Sequence, residues 1–263
     1  MMTRIQTLFS RPGRKALIAY ITAGDPSADR TPSLVAALER GGVDLVELGV
    51  PFSDPIADGP VIQRGAERAL KAGMTVPKVL EVARRIRERS QIPLLLFTYL
   101  NPVLRYGLEA LARDAKAIGI DGCLLTDLSV EEAAPYVAAM RGAGLDTVFL
   151  AAPTSTPERL KLVATYSTGF VYLVSRTGVT GERASLSDQL GPLVSEMRAW
   201  TKLPLAAGFG ISTADQAAAV AKIADGVVVG SAFVRLIEEG QNDDDLEGRL
   251  ETFSRELRQG IDR

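Results

Sequence analysis

Two carboxylates eleven residues apart (58 − 47 = 11), Glu47 and Asp58, are the groups in this sequence best placed to move protons. Glu47 lies inside the apolar run VDLVELGV, and Asp58 lies in the loop SDPIADGP that follows. An ionised glutamate in a buried strand is unfavourable unless it is paired or works in a cavity. One reading is therefore a structural ion pair with an Arg or Lys. The other is a general acid, because burial raises a carboxyl pKa toward the range where proton transfer is efficient. Alternation puts Leu45, Glu47 and Gly49 on one face of the strand and Val46 and Leu48 on the other. Gly49, on the Glu47 face just before the loop, leaves space for a ligand and favours the second reading. Asp54 shares the loop with Asp58. Asp-Pro and Asp-Gly also form turns, so spacing alone does not choose between the two as a ligand contact.

Composition leaves the carboxylates few competitors for this role. The chain has no histidine and a single cysteine, Cys123. That excludes a Ser-His-Asp triad, a His-ligated metal site and an intramolecular disulfide. No metal is expected. Cys123, in GCLLTD, reads as a buried strand residue without a histidine to activate it.

A second kind of site is written in glycine. SRTGVTGERASL, AGFGIST and VVVGSAF each follow a late apolar run. Glycines let backbone N–H groups approach an anion, and a helix opening at Gly230-Ser231 adds favourable partial charge. Together they predict a phosphate cradle, with Arg176 and Arg183 as nearby cations. The long, Gly-rich GVTGERAS segment is expected to move as a lid.

These residues must be positioned by regular elements. Short apolar runs alternate with amphipathic stretches from end to end: KALIAYITAG then TPSLVAALERGG, VDLVELGV then VIQRGAERALKAG and VPKVLEVARRIRERS, PLLLFTYL then LEALARDAKAIG. The alternation continues through GCLLTD, DTVFLAA, FVYLVS, PLAAGFG and GVVVGSA, each followed by a helical pattern. The strand runs are continuously apolar, as in parallel strands covered on both faces. About eight such pairs point to one domain over residues 1–263. Its fold class is a single (β/α)8 TIM barrel with an extra N-terminal helix and extra helices on the loops. A doubly wound open sheet is the runner-up, but GDPSAD after the first run does not match its glycine fingerprint. In a barrel the working residues gather at the C-terminal ends of the strands.

The net charge is −2, with 46% apolar and 24% charged residues. No strong field exists to attract nucleic acid or an anionic membrane. The N-terminal MMTRIQTLFSRPGRK has no apolar core like that of a signal peptide, and no apolar run is long enough to span a membrane. A cytoplasmic protein is expected.

At these residues the chain resembles the alpha subunit of tryptophan synthase, nearly end to end. The resemblance is carried by LIAYITAGDPS, ELGVPFSDPIADGPVIQ, YLNPVLRYG, YLVSRTGVTG, GFGIS and DGVVVGSA. It implies retro-aldol cleavage of indole-3-glycerol phosphate to indole and glyceraldehyde 3-phosphate. It also implies a pyridoxal-phosphate beta subunit as partner in an alpha2-beta2 complex, with no cofactor in this chain. By position, Glu47 matches the family's catalytic glutamate and Asp58 its catalytic aspartate. Gly181, Gly210, Gly230 and Ser231 match phosphate contacts. Tyr20, Tyr99, Leu124, Tyr172, Thr180 and Phe209 fall around the substrate, with Tyr20 standing where Phe is more usual. Pro51, Asp54 and Asn101 lie in segments like the beta-facing loops. The family often has Pro where this chain has Ser129, and a small residue where it has Glu182. Asp127 is expected to orient the Asp58 loop.

Two other functions are weighed against the one this resemblance implies: a free-standing lyase that releases indole, and a non-catalytic barrel that activates a partner, which loss of the carboxylates would mark; a sugar-phosphate isomerase on the same fold leaves the SDPIADGP loop beside Glu47 unexplained. Other residues read as structural: Asp25-Pro26 as a turn with Ser27 capping, Trp200 as helix packing, and RRIRER as a solvated helix face.

Overall fold

The structure, a computed structural model, describes residues 2–174, 186–208 and 210–263. Eight parallel strands close into a barrel in sequence order: β1 (Ala16–Thr22), β2 (Leu45–Gly49), β3 (Leu94–Thr98), β4 (Gly122–Leu125), β5 (Asp146–Ala151), β6 (Val171–Val174), β7 (Leu205–Gly208) and β8 (Gly226–Val229). β8 pairs with β1, Ala16 opposite Gly226, so no edge is left open. This is the expected barrel.

Helices α1 (Arg4–Phe9), α2 (Thr31–Arg40), α3 (Pro60–Lys71) and α4 (Val76–Arg87) belong to the first half of the chain. Helices α5 (Leu100–Tyr106), α6 (Leu108–Ile118), α7 (Ala134–Gly142) and α8 (Pro157–Tyr166) follow, then α9 (Leu186–Arg198), α10 (Ala214–Ala221), α11 (Ser231–Glu239) and α12 (Leu246–Ile261). Local signals explain the boundaries. Pro lies in the first turn of α3, α4 and α8, where its missing N–H is no loss. Gly41 ends α2, and Gly119 ends α6 in the left-handed conformation. Two elements depart from the sequence reading. LNPVLRY folds as α5, too short to show a period. VEE forms a separate 3-10 turn, because Pro135 starts α7 at Ala134.

Period-two alternation divides the strand side chains. Ile18, Leu45, Leu95, Leu124, Val148, Ala206 and Val228 fill the barrel interior, and α1 closes its floor with Ile5 and Leu8. Leu17, Val46, Leu96, Cys123, Leu173 and Val227 point outward against the helices. Cys123 is buried there, and burial pushes its thiol up to about 12. The structural reading of this cysteine holds.

Three other structural readings need correction. Trp200 is 41% exposed just past α9 and does not pack as a core residue. The RRIRER run is solvated only in part. Arg87 turns inward to Asp121 (2.8 Å) and to the carbonyls of Gly119 (2.8 Å) and Ile92 (2.6 Å), because backbone carbonyls and a buried carboxylate converge there. Asp25 is more than a turn former: it is fully buried and paired with Arg68.

Outside the barrel interior two buried side-chain hydroxyls, those of Thr98 and Ser167, have no partner among the described residues. The Thr98 hydroxyl faces a void of about 10 Å³ otherwise lined by Val50, Val76, Val79, Leu80, Leu96, Val103 and Leu111. A water there would find a single polar neighbour. Thr98→Val should therefore raise the free energy of unfolding by about 1 kcal/mol, read as a higher midpoint in urea at unchanged slope.

Candidate active site

Glu47, Asp58, Tyr20, Tyr99, Tyr172, Gly230 and Ser231 lie at or just past the C-terminal ends of strands. Glu47 is fully buried inside the barrel, paired in register with Tyr20 of β1 and Leu95 of β3. Among the described residues neither carboxyl oxygen has a hydrogen-bond partner. No described residue forms an ion pair with Glu47. Burial without a compensating cation favours the neutral acid and raises its pKa to about 8.

Asp58 sits in the loop between β2 and α3. Its Oδ2 accepts a hydrogen bond from the Tyr99 hydroxyl at 3.0 Å, and Tyr99 Oη accepts one from the Ala57 N–H at 3.0 Å. Burial raises Asp58 to about 6, and the Tyr99 bond partly offsets that rise. The two aspartates of the loop differ in surroundings: Asp54 faces solvent, its carboxylate accepting from the Ser53 hydroxyl, whereas Asp58 is half-buried against Tyr99. Asp127 acts one step removed. It accepts the Leu100 N–H at 2.7 Å, anchoring the start of α5 beside Tyr99, which in turn holds Asp58. Ser129 bonds Glu131 at the surface, away from this contact.

Two tyrosines lean across the barrel mouth in the same way. Tyr20 of β1 lies over Gly49 of β2, where a Cβ would fall 2.3 Å from its hydroxyl. Tyr172 of β6 lies over Gly208 of β7, where a Cβ would fall 2.5 Å from its hydroxyl. The space expected beside Gly49 for a ligand is thus taken by Tyr20, a correction the sequence could not supply, since it depends on a neighbouring strand. Tyr20 packs edge-on against Phe97 at 5.0 Å, and its hydroxyl lies 3.4 Å from Thr22 Oγ1. Burial holds Tyr172 well above the usual phenol range, and the nearby Glu47 and Asp58 carboxyls add to that. Leu124 is fully buried on the inward face, opposite Phe97 in register. Phe97 was missed, although the phase of PLLLFTYL puts it on the face of Leu95.

Across the mouth, Gly230 caps the start of α11 and Ser231 opens it. Gly210 takes φ +67°, a left-handed conformation that favours glycine. Gly210 and Ser231 line one cavity of about 330 Å³ with Ser212 and Arg235. Ser212 and Arg235 join the site unforeseen, since neither carries a local signal beyond its own polarity. Thr180, Gly181, Glu182, Arg176, Arg183, Phe209 and the GVTGERAS segment lie outside the described residues. Among the described residues no cluster of three or more Cys, Asp or Glu side chains is arranged to hold a metal.

Fold and mouth together define a class: a closed β/α barrel with a buried carboxyl, Glu47, and a half-buried one, Asp58, at its C-terminal end. Comparison with known proteins makes the class specific. The family described as tryptophan synthase alpha chain matches residues 7–262. A tryptophan synthase alpha chain of Solibacter usitatus is 68% identical over 263 residues, covering 99% of this chain and 98% of that one. The crystal structure of tryptophan synthase subunit alpha from Legionella pneumophila superposes with TM-score 0.93 at 38% identity, covering 100% and 99% of the two chains. A structure of Mycobacterium tuberculosis tryptophan synthase superposes with TM-score 0.90 at 39% identity, covering 99% of each. The chain belongs to the tryptophan synthase alpha chain family.

Proposed function

We propose that this chain cleaves indole-3-glycerol phosphate to indole and glyceraldehyde 3-phosphate, with Glu47 and Asp58 as its catalytic residues. The observation that carries the assignment is the Glu47 carboxyl, wholly buried at the working end of the barrel and bonded to none of the described residues. Near neutral pH it is a carboxylic acid, as a group that must first give a proton requires.

The reaction needs two proton transfers. Glu47 delivers its proton to C3 of the indole ring, giving the indolenine cation. The resulting carboxylate then takes the proton of the hydroxyl on the carbon attached to C3. As that proton leaves, the C–C bond breaks, its electron pair returns to the ring, and the former hydroxyl carbon becomes the aldehyde. Glu47 ends protonated, as it began. Asp58, held by Tyr99, accepts the indole N–H and stabilises the positive charge that develops there. Tyr20, Leu124, Tyr172, Thr180 and Phe209 surround the ring, and Gly181, Gly210, Gly230 and Ser231 receive the phosphate. The whole chain, 1–263, works as one barrel unit.

The pKa values of the carboxyls lie on opposite sides of neutrality, about 6 for Asp58 and about 8 for Glu47. Asp58 must be ionised and Glu47 protonated. Turnover should therefore fall below about pH 6 and above about pH 8. The test offers the purified protein indole-3-glycerol phosphate and measures indole across that range. Absence of indole at every pH overturns the assignment.

The partner is a pyridoxal-phosphate beta subunit in an alpha2-beta2 complex, in the cytoplasm. Pro51, Asp54 and Asn101 face it. Support comes from two large apolar side chains exposed on the same segments, Ile56 (85%) and Leu104 (55%). No helix of the described residues is long and apolar enough to cross a membrane. Adding the beta subunit should raise the rate of indole formation; an unchanged rate leaves a free-standing lyase.

A further inference from the structure

A chain of ion pairs runs beneath the barrel mouth, outside the groups that would touch substrate. Asp25, just past β1, is fully buried. Arg68 of α3 grips it with two parallel bonds, Nε to Oδ1 and Nη2 to Oδ2, both 2.8 Å. The remaining arm of Arg68 reaches Glu238 of α11 at 2.7 Å. Arg64, one turn earlier on α3, grips Glu238 with two further bonds of 2.7 and 2.8 Å. Paired, planar contacts of this kind fix direction as well as distance. The Arg64 guanidinium beside it holds the Glu238 carboxyl down at about 2, so the link stays ionised at any working pH.

The two helices joined here carry opposite ends of the proposed site. α3 follows the Asp58 loop, and Gln63 in its first turn donates to the Asp58 carbonyl at 2.9 Å. α11 begins at Ser231, behind the Gly230 cap. The helices also touch directly: a Cβ on Gly65 of α3 would lie 3.0 Å from Val234 of α11 and 3.1 Å from Asp25 Oδ2. The Asp58 loop therefore moves with α3, and the anion-binding end moves with α11.

We infer that the Asp25–Arg68–Glu238–Arg64 chain is a positioning device that sets the distance between the ring-binding and phosphate-binding ends of the site. The inference rests on the proposed function, because only a ligand with a ring at one end and a phosphate at the other reads that distance. A ligand occupying one end is indifferent to it. A linked ligand depends on both ends being held at the right separation before it arrives. Glu238 is the junction: its loss removes the ionic tie between α11 and α3, leaving only their apolar contact, while Arg68 still neutralises the buried Asp25.

The experiment measures binding of three probes to the full chain and to Glu238→Ala. The linked probe is indole-3-propanol phosphate; the single-ended probes are indole and glycerol 3-phosphate. We expect Kd for the linked probe to rise about tenfold, within the usual range of coupling between sites, with the single-ended probes unchanged. Glu238→Gln, which keeps side-chain length and one acceptor, should fall between the two proteins. Equal weakening of linked and single-ended probes overturns the inference, and so does an unchanged linked probe. Failure of the unaltered chain to bind the linked probe overturns the proposed function instead. Should Glu238→Ala not fold, Arg64→Met removes two of the three bonds to Glu238 from its exposed side; the linked probe should again weaken, by less than tenfold, with the single-ended probes unchanged, and an unchanged linked probe overturns the inference.

Discussion

Replacing Glu47 by Gln should lower indole formation by about a thousandfold, within the range for loss of a positioned acid–base group, while the barrel becomes more stable. The two effects share one cause. Gln keeps the shape of Glu and has no acidic proton to deliver to indole C3, so turnover is lost in kcat with little change in KM. Stability follows from linkage. The folded-state pKa of Glu47, about 8, lies above its ordinary value of 4.5. The folded chain therefore holds a proton that the unfolded chain releases, and stability falls as pH rises from about 4.5 to about 8. At pH 7 the penalty reaches at most about 3.5 kcal/mol, from (7 − 4.5) units at about 1.4 kcal/mol each. Gln does not titrate and escapes it. Urea unfolding at pH 5, 7 and 8.5 should show the two proteins close together at pH 5 and diverging above. A variant with near wild-type turnover sinks the catalytic assignment. Parallel curves at all three pH values sink the account of the raised pKa.

Asp58→Asn should lower kcat by about a hundredfold or more, the scale of losing one electrostatic contact to developing charge. Asn keeps an acceptor for the Tyr99 hydroxyl, so the loop between β2 and α3 should hold its shape. What is lost is the negative charge facing the indole N–H. The acidic limb of the pH profile, assigned to Asp58 near pH 6, should disappear along with the rate, leaving only the fall near pH 8. An Asn variant that keeps the limb near pH 6 shows that another group titrates there. Because burial also raises Asp58, the Asn variant should be slightly more stable than the wild type above pH 6 and no different well below it.

Much of the site can be read locally, and the exceptions have a common character. Period two alone groups Glu47 with Leu45 and Gly49 on one face, and closure of the barrel makes that face the inward one. The run VVVGSAF places Gly230 and Ser231 at a helix start. Asp58 could not be separated from Asp54 by spacing, because both lie in one loop of turn-forming residues. The separation depends on Tyr99, forty-one residues later (99 − 58 = 41), whose hydroxyl reaches one aspartate only. The pairing of Asp25 with Arg68 is hidden from sequence for the same reason. Each looks ordinary in its own segment, and their pairing is a fact about two distant segments meeting.

By itself the sequence determined the alternation of strands and helices, the apolar cover on both faces of the strands, and the exclusion of histidine, intramolecular disulfide and His-ligated metal chemistry. These follow from short-range periodicity and composition, which tertiary contacts do not alter. Tertiary structure alone decided that the Glu47 carboxyl meets no cation among the described residues, that Tyr20 fills the gap over Gly49, and that α3 and α11 are tied through Glu238. Those outcomes depend on which side chains of neighbouring strands and helices converge once the barrel closes. Closure brings together residues that no local pattern connects.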